Sequence, residues 1–386
     1  MTLRGARVAI NATESLACDI GMREGRITFV PRSGDAVLDL RDCLILPGLI
    51  NAHDHLEFAL FPRLGRGPYR NATAWAEDIY RPEQAPVRQH LHVPKPARLL
   101  WGGLRNLLAG VTTVMHHNPY DPEVFTRRFP VRVVSHYGWA HSPRFSPDIA
   151  ERHRVTPKTA PFVLHACEGT DFEARCELQH IDRAGVLGSM TVIVHGVGID
   201  GEGVALMNSR RASLVWCPTS NRFTLGRTLS QDLLGSGILV ALGTDSSLTA
   251  DGDMVDELCA ALQSADPVHV YQMVTTAAAK MLRLTRGEGS ITEGGRADLV
   301  VIRDPGGRPA DALATLDPQL VIVGGRIRLS TPEMAVRLGF GRLNLQRVHV
   351  EGRGLKLVDC DVRSMAQMAL AATGAELRLG GKRVNA

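Results

Sequence analysis

The sequence predicts an α/β protein: a (β/α)8 barrel accompanied by a small discontinuous β module. Three observations point there. Apolar runs recur through the middle of the chain, each ending in polar or ionisable residues. Helix-like segments separate most of these runs. Strand-rich sequence punctuated by glycine flanks the region on both sides.

The first 46 residues read as short strands and turns, with segments such as RVAI, GRITFV and AVLDL carrying β-branched or alternating residues. CLILPGLINAH then changes character. A continuous apolar run that ends in polar residues is how a buried strand delivers side chains to a barrel mouth. The pattern repeats in GVTTVMHH (110–117), VRVVSHYGWAH (131–141), PFVLHACE (161–168), TVIVHGVGID (191–200), ASLVWCPTSN (212–221) and ILVALGTD (238–245). RLLWGGLRNLLAG (98–110) and FEARCELQHIDRAG (172–185) are helix-like connections, and strands alternating with helices imply a parallel sheet. Chemistry-bearing residues at the ends of so many strands imply a TIM-like barrel, which carries its site on that face. After residue 290, GSITEGGRADLVVI and LVIVGGRIRL return to strands and glycine turns. The expected organisation is therefore a composite β module from 1–47 and 290–345 and a barrel over 48–289. An extension over 346–386 reads as a strand (LKLVDCDV) followed by a helix (RSMAQMALAATGAEL).

The bulk composition narrows the function classes. The 386 residues, 44% of them apolar, can bury a large core. A formal net charge of +4 gives no electrostatic case for nucleic acid or a membrane surface as partner. Seven cysteines without a CxxC pair suggest reduced thiols and a cytoplasmic setting. The opening MTLRGARVAI lacks the pattern of a secretory signal, and no apolar run reaches transmembrane length.

His53 and His55 form an HxH pair. Residues i and i+2 of a strand share a side, so both imidazoles can face one ion. His165 and Glu168 follow in HACEG, His195 in VIVHG and Asp245 in ALGTD, each at the end of an apolar run. Three imidazoles and a carboxylate suit zinc, or another borderline divalent metal such as iron.

The order of these motifs resembles the amidohydrolase superfamily, and within it the mononuclear deaminase and chlorohydrolase branch. PGLINAHDH is similar to the first-strand metal motif, HACE to the fifth-strand His-x-x-Glu, and VHGVGIDGEGVALM to the sixth-strand histidine and its helix. CPTSNRFTLG resembles the seventh-strand segment and ALGTDSS the eighth-strand aspartate, while GSITEGGRADLVVI resembles the return to the β module. The resemblance implies that His53, His55, His165 and Asp245 bind one divalent metal. It also implies that Glu168 shuttles a proton and that His195 orients or polarises the attacking water. Asp245 would accept a hydrogen bond from that water as well. No lysine lies between Lys95 and Lys158, where the binuclear branch carries its carboxylated lysine, and this favours a single ion. The implied reaction is hydrolytic removal of a substituent, foremost an amino group, from an N-heterocycle of purine, pyrimidine, pterin or triazine type. Hydrolysis of a cyclic amide or a carbon–halogen bond is the second reading, and a non-catalytic metal-binding scaffold the third. A small-molecule substrate is the expected partner, and the resemblance implies a homodimer.

Some segments depart from the family pattern. A regular eightfold count needs two strands where only 131–141 is evident, so a third or fourth unit is expected to be abbreviated. Glu57 stands where relatives often place a glutamine, and could bind an amino-bearing substrate or pair with Arg63 or Arg66. Segment 61–96 could cover the mouth as a lid, with Trp75 stacking on a planar ring and Arg66 holding an anion. Of His116 and His117, at most one should face the site; His117 and His141 are the expected substrate contacts.

Overall fold

Strand lengths in the middle of the chain are set by how briefly each apolar run must cross the core. The computed structural model describes residues 1–339 and 344–386, so residues 340–343 of the expected β module lie outside the described residues. Eight parallel strands follow one another: β1 (Leu49–Asp54), β2 (Val111–His116), β3 (Arg132–Val133), β4 (Gly138–Ala140), β5 (Phe162–Ala166), β6 (Thr191–His195), β7 (Ser213–Trp216) and β8 (Val240–Leu242). β1 to β3 form one parallel ladder and β4 to β8 another. β8 returns to β1 through a parallel bridge between Asp54 and Asp245, and the Thr244 and Asp245 N–H groups both donate to the His53 carbonyl. The barrel expected from the sequence is present.

The run 131–141 corrects the one-strand expectation, because it supplies two strands. Val134 N donates to Val114 O on the β2 side, whereas Gly138 N donates to Pro161 O on the β5 side. The chain changes neighbours within four residues, too few for a helix. The abbreviation also reaches the β2–β3 connection, which has turns but no helix.

Elsewhere the connections are helical: Lys95–Leu108 after β1, Phe172–Arg183 after β5, Gly201–Arg210 after β6 and Pro218–Leu225 after β7. Their starts are chemically specified. The Asp171 and Asp200 side chains accept the Ala174 and Gly203 N–H groups, and Asp253 with Asp256 forms a capping box ahead of Met254–Leu262.

Side-chain alternation sorts the core into layers. Val163, Val192, Val194, Val215 and Ala241 join one buried cluster, while Leu164, Ile193, Leu214 and Trp216 join another. This is the inside–outside alternation of barrel strands. His165, two residues after Val163, therefore points inward.

Beside the barrel lies a sheet of twelve strands among the described residues. Cys43–Pro47 pairs antiparallel with Leu299–Arg303, joining the N-terminal strands to those after residue 290. The tail continues this sheet. Gln346–Val350 and Gly354–Val358 form a hairpin attached through Leu329 and Val358, and helix Val362–Thr373 packs on Lys95–Leu108. No helix among the described residues is long and apolar enough to cross a membrane.

Candidate metal centre

The C-terminal ends of β1, β5, β6 and β8 bring the strand-end residues to one point. His55 Nε2 lies 3.3 Å from His165 Nε2, which lies 3.2 Å from His53 Nε2. Asp245 Oδ1 is 3.4 Å from His53 Nε2 and 3.7 Å from His55 Nε2. All four side chains are buried, and their donor atoms lie within 4.8 Å of one another, a group that could hold a metal ion.

The protonation states fit a cation. Burial foremost, reinforced at His55 and His165 by the neighbouring imidazoles, lowers the pKa values of all three histidines, so the rings are neutral and present lone pairs. Burial pushes the Asp245 carboxyl up, yet the His53 hydrogen bond and the surrounding imidazoles hold it well below the usual carboxylate range. His165 Nδ1 sits 3.0 Å from the His141 carbonyl, which fixes the proton on Nδ1 and leaves Nε2 bare. Asp245 Oδ2 accepts the hydroxyls of Ser220 (2.6 Å) and Thr249 (2.9 Å), leaving Oδ1 to face the imidazoles. Three imidazole nitrogens and one carboxylate oxygen form a donor set suited to a divalent cation.

Glu168 and His195 stand beside the quartet. His195 Nε2 lies 3.6 Å from Glu168 Oε2 and 3.9 Å from Asp245 Oδ2. Strict alternation after Val194 would send His195 outward. Its φ of 76° turns the chain and aims the ring at the site, and Asp245 (φ 53°) and Cys167 (φ 53°) are bent likewise. The His195 Nδ1 proton is received by Asn221 Oδ1 at 2.9 Å. Burial, together with Asp245 and Glu177 and against the opposing pull of His195, pushes Glu168 up to about 7.

A cavity of about 690 Å³ opens above these groups. His55, His165, Glu168, His195 and Asp245 line its floor, and Trp75, Tyr80, Trp139, His141 and Phe145 line its wall. Three expected substrate contacts lie elsewhere. Glu57 sits in the short helical turn Leu56–Phe58 and points to Asn118 and His116 rather than to Arg63 or Arg66. Arg66 is exposed on the surface, outside the cavity lining. His117 is buried behind the quartet, its ring centroid 4.2 Å from that of His165 and its Nε2 2.9 Å from the Ala140 carbonyl. Adjacent His116 faces away, against Phe125, so one of the pair turns inward as alternation requires.

A buried polar network beneath the site went unread in the sequence. Asp54, between the two histidines, accepts Arg105 at 2.8 Å, Asn106 at 2.7 Å and Thr244 at 3.1 Å. Arg105 also reaches the Asp245 carbonyl at 3.1 Å and Ser247 Oγ at 2.7 Å. The available signal was the pair Arg105-Asn106 amid the apolar face of LLWGGLRNLL, where polar side chains need buried partners.

Residues 155–328 match the amidohydrolase family. A 5-methylthioadenosine/S-adenosylhomocysteine deaminase of Syntrophobacter fumaroxidans is 28% identical over 377 residues, covering 78% of each chain. A second so named, from Archaeoglobus fulgidus, is 24% identical and covers 78% of this chain and 85% of its own. A zinc-bound adenosine deaminase from Xanthomonas campestris superimposes with a TM-score of 0.67 at 17% identity, covering 97% of both chains. A variant atrazine chlorohydrolase of Arthrobacter aurescens, complexed with zinc and atraton, gives 0.70 at 16%, covering 96% of this chain and 99% of its own. Residues 155–328 are thus similar to an amidohydrolase family domain, and the chain has the barrel-plus-sheet fold of the adenosine deaminase and atrazine chlorohydrolase structures.

Proposed function

We propose that this protein is a zinc-dependent hydrolase that removes the exocyclic amino group of an adenosine-like nucleoside as ammonia. The observation that carries the reading is the placement of Glu168 and His195 against the imidazole–carboxylate quartet at the floor of an aromatic-walled cavity. His53, His55, His165 and Asp245 would hold the cation, which when bound would supply the Lewis acidity that lowers the pKa of water toward about 7.

The chain's own residues handle the protons. Glu168, whose carboxyl titrates near neutrality, takes the proton that the attacking water loses and delivers it to the ring nitrogen next to the reacting carbon. The carbon–oxygen bond forms as the ring carbon–nitrogen double bond opens. The departing amine takes the remaining hydroxyl proton and leaves as ammonia, and the carbonyl product forms. His195, oriented by Asn221, faces the developing oxygen. Ser220 and Thr249 hold Asp245 Oδ2, so that the carboxylate keeps one orientation. Trp75, Trp139 and Phe145 offer ring faces for a planar base, and His141 adds a polar edge. The curated relatives support the nucleoside class, being named for 5-methylthioadenosine, S-adenosylhomocysteine and 5′-deoxyadenosine.

Glu168→Gln tests the assignment. The variant should retain about one zinc per chain by elemental analysis and lose ammonia release from adenosine-like nucleosides by about 10²–10⁴-fold. Undiminished turnover removes the proton-transfer role. Chloride release from halogenated triazines, with no ammonia from any nucleoside, moves the site to carbon–halogen chemistry.

A further inference from the structure

A second cleft, of about 890 Å³, lies on the flank of the barrel and shares no lining residue with the cavity above the quartet. Its walls are β3 with its flanking residues, the segment 282–286, and the turns at Glu24–Arg26 and Val323–Arg326. We propose that this cleft binds a small molecule carrying a chain of two or more phosphate groups.

The lining is dominated by guanidinium groups. Arg132, Arg296 and Arg328 form the inner part, with Arg328 only 5% exposed. Arg26, Arg127, Arg283, Arg286 and Arg326 stand exposed around the rim. Facing these eight cations are Glu24 on the rim and three carboxylates already engaged: Asp298 with Arg132, Glu288 with Arg296 and Asp359 with Arg328. The local surplus of four positive charges equals the formal net charge of the whole chain, +4. Arg26 and Arg283 are held by the backbone carbonyls of Gly294 and Ser189. Among the described residues, none of the five rim arginines has an ion pair.

The inner arginines are also incompletely satisfied. Arg132 Nε and Arg328 Nε are buried and have no acceptor among the described residues, a state that is destabilising when left so. Burial, then the like charge of Arg132, lowers the Arg296 guanidinium from its ordinary value. Like charges are thus packed together in a partly dry recess, an arrangement that a bound anion relieves.

The mouth is rigidly built. The turns at Gly25 and Gly324–Gly325 lie back to back, and a Cβ on Gly325 (φ 76°) would sit 2.9 Å from Gly25 Cα. Guanidinium forks match phosphate oxygens in pairs. Eight of them around one concave recess exceed what a single phosphate can engage, whereas a chain of phosphates reaches from rim to floor. The concavity, with its deepest cation buried, fits a small molecule better than a polymer backbone.

Isothermal titration of the metal-replete protein with inorganic tripolyphosphate, in a fixed background of about 0.1 M salt, tests this. Adenosine triphosphate serves as a second arm, to tell a free polyphosphate from a nucleotide tail. The wild type should bind at least one of them saturably, one per chain. Arg286→Glu/Arg326→Glu, two exposed changes far from the quartet, should weaken binding about 10- to 100-fold while ammonia release is unchanged. No saturable binding of either ligand overturns the proposal. So does equal affinity in the variant, or equal binding of sulfate at matched ionic strength.

Discussion

Glu257 tests how the loop after β7 is held beneath the site. It is 1% exposed on helix Met254–Leu262 and accepts both the Thr219 N–H (3.1 Å) and the Thr219 hydroxyl, next to the Ser220 that steadies Asp245. Burial, with added repulsion from Asp245 and Asp256, outweighs the Thr219 hydrogen bonds and pushes this carboxyl up to about 8, from 4.5. Between those two pH values the unfolded chain has released its proton while the folded chain keeps it. The unfolded state then binds fewer protons, so stability falls as pH rises, by about 1.4 kcal/mol per pH unit. From pH 5 to pH 8 this is on the order of 4 kcal/mol. Glu257→Gln preserves shape and an acceptor for the Thr219 N–H but cannot titrate. For 386 residues at about 2.1 cal/mol/K each, 1 kcal/mol corresponds to about 1 °C in Tm. Thermal melts of metal-replete wild type and variant at pH 5, 6, 7 and 8 should therefore show the wild type losing about 4–5 °C relative to the variant. Parallel pH dependence of the two proteins would refute a buried, protonated Glu257.

Two further outcomes follow from the network around the quartet. Arg105→Met leaves Asp54 buried without its cation and should lower stability by about 3–5 kcal/mol in urea unfolding; an Asp54→Asn/Arg105→Met double variant should recover part of the loss, and a double variant no better than the single would show that the pair is not the cause. Ser220→Ala removes one of two hydroxyls from Asp245 Oδ2 and should weaken metal retention about 10- to 100-fold in chelator competition, an expectation that unchanged retention contradicts.

The metal quartet was legible because each member ends an apolar strand: strand periodicity sends His53 and His55 to a common side, and the family resemblance singled out His165 and Asp245 from the other strand-end residues. His195 was found by position, but its direction depends on a left-handed backbone that no periodicity reveals. The network of Asp54, Arg105 and Thr244 joins residues 51 and 190 positions apart, beyond any local pattern. The split of 131–141 was hidden because the polar pair Ser135-His136, where the hydrogen-bonding partner changes, is too short an interruption to read as a boundary between two strands. Glu57 and Arg66 were misplaced because nearness in sequence to the first metal motif does not fix direction. A helical turn carries Glu57 sideways, and the loop carries Arg66 out to solvent.

The pairing of Cys43–Pro47 with Leu299–Arg303 also bears on how the chain is made. A ribosome adding about 5–20 residues per second emits the second strand roughly 12–50 s after the first, with about 250 residues of barrel between them. Through that interval Cys43–Pro47, every residue of which is buried in the finished protein, waits without its antiparallel neighbour. A waiting apolar edge invites foreign strands. The barrel can close as a local, sequential structure while the nascent N-terminus still needs shielding, so the hazard in biosynthesis falls on the sheet that holds none of the metal donors.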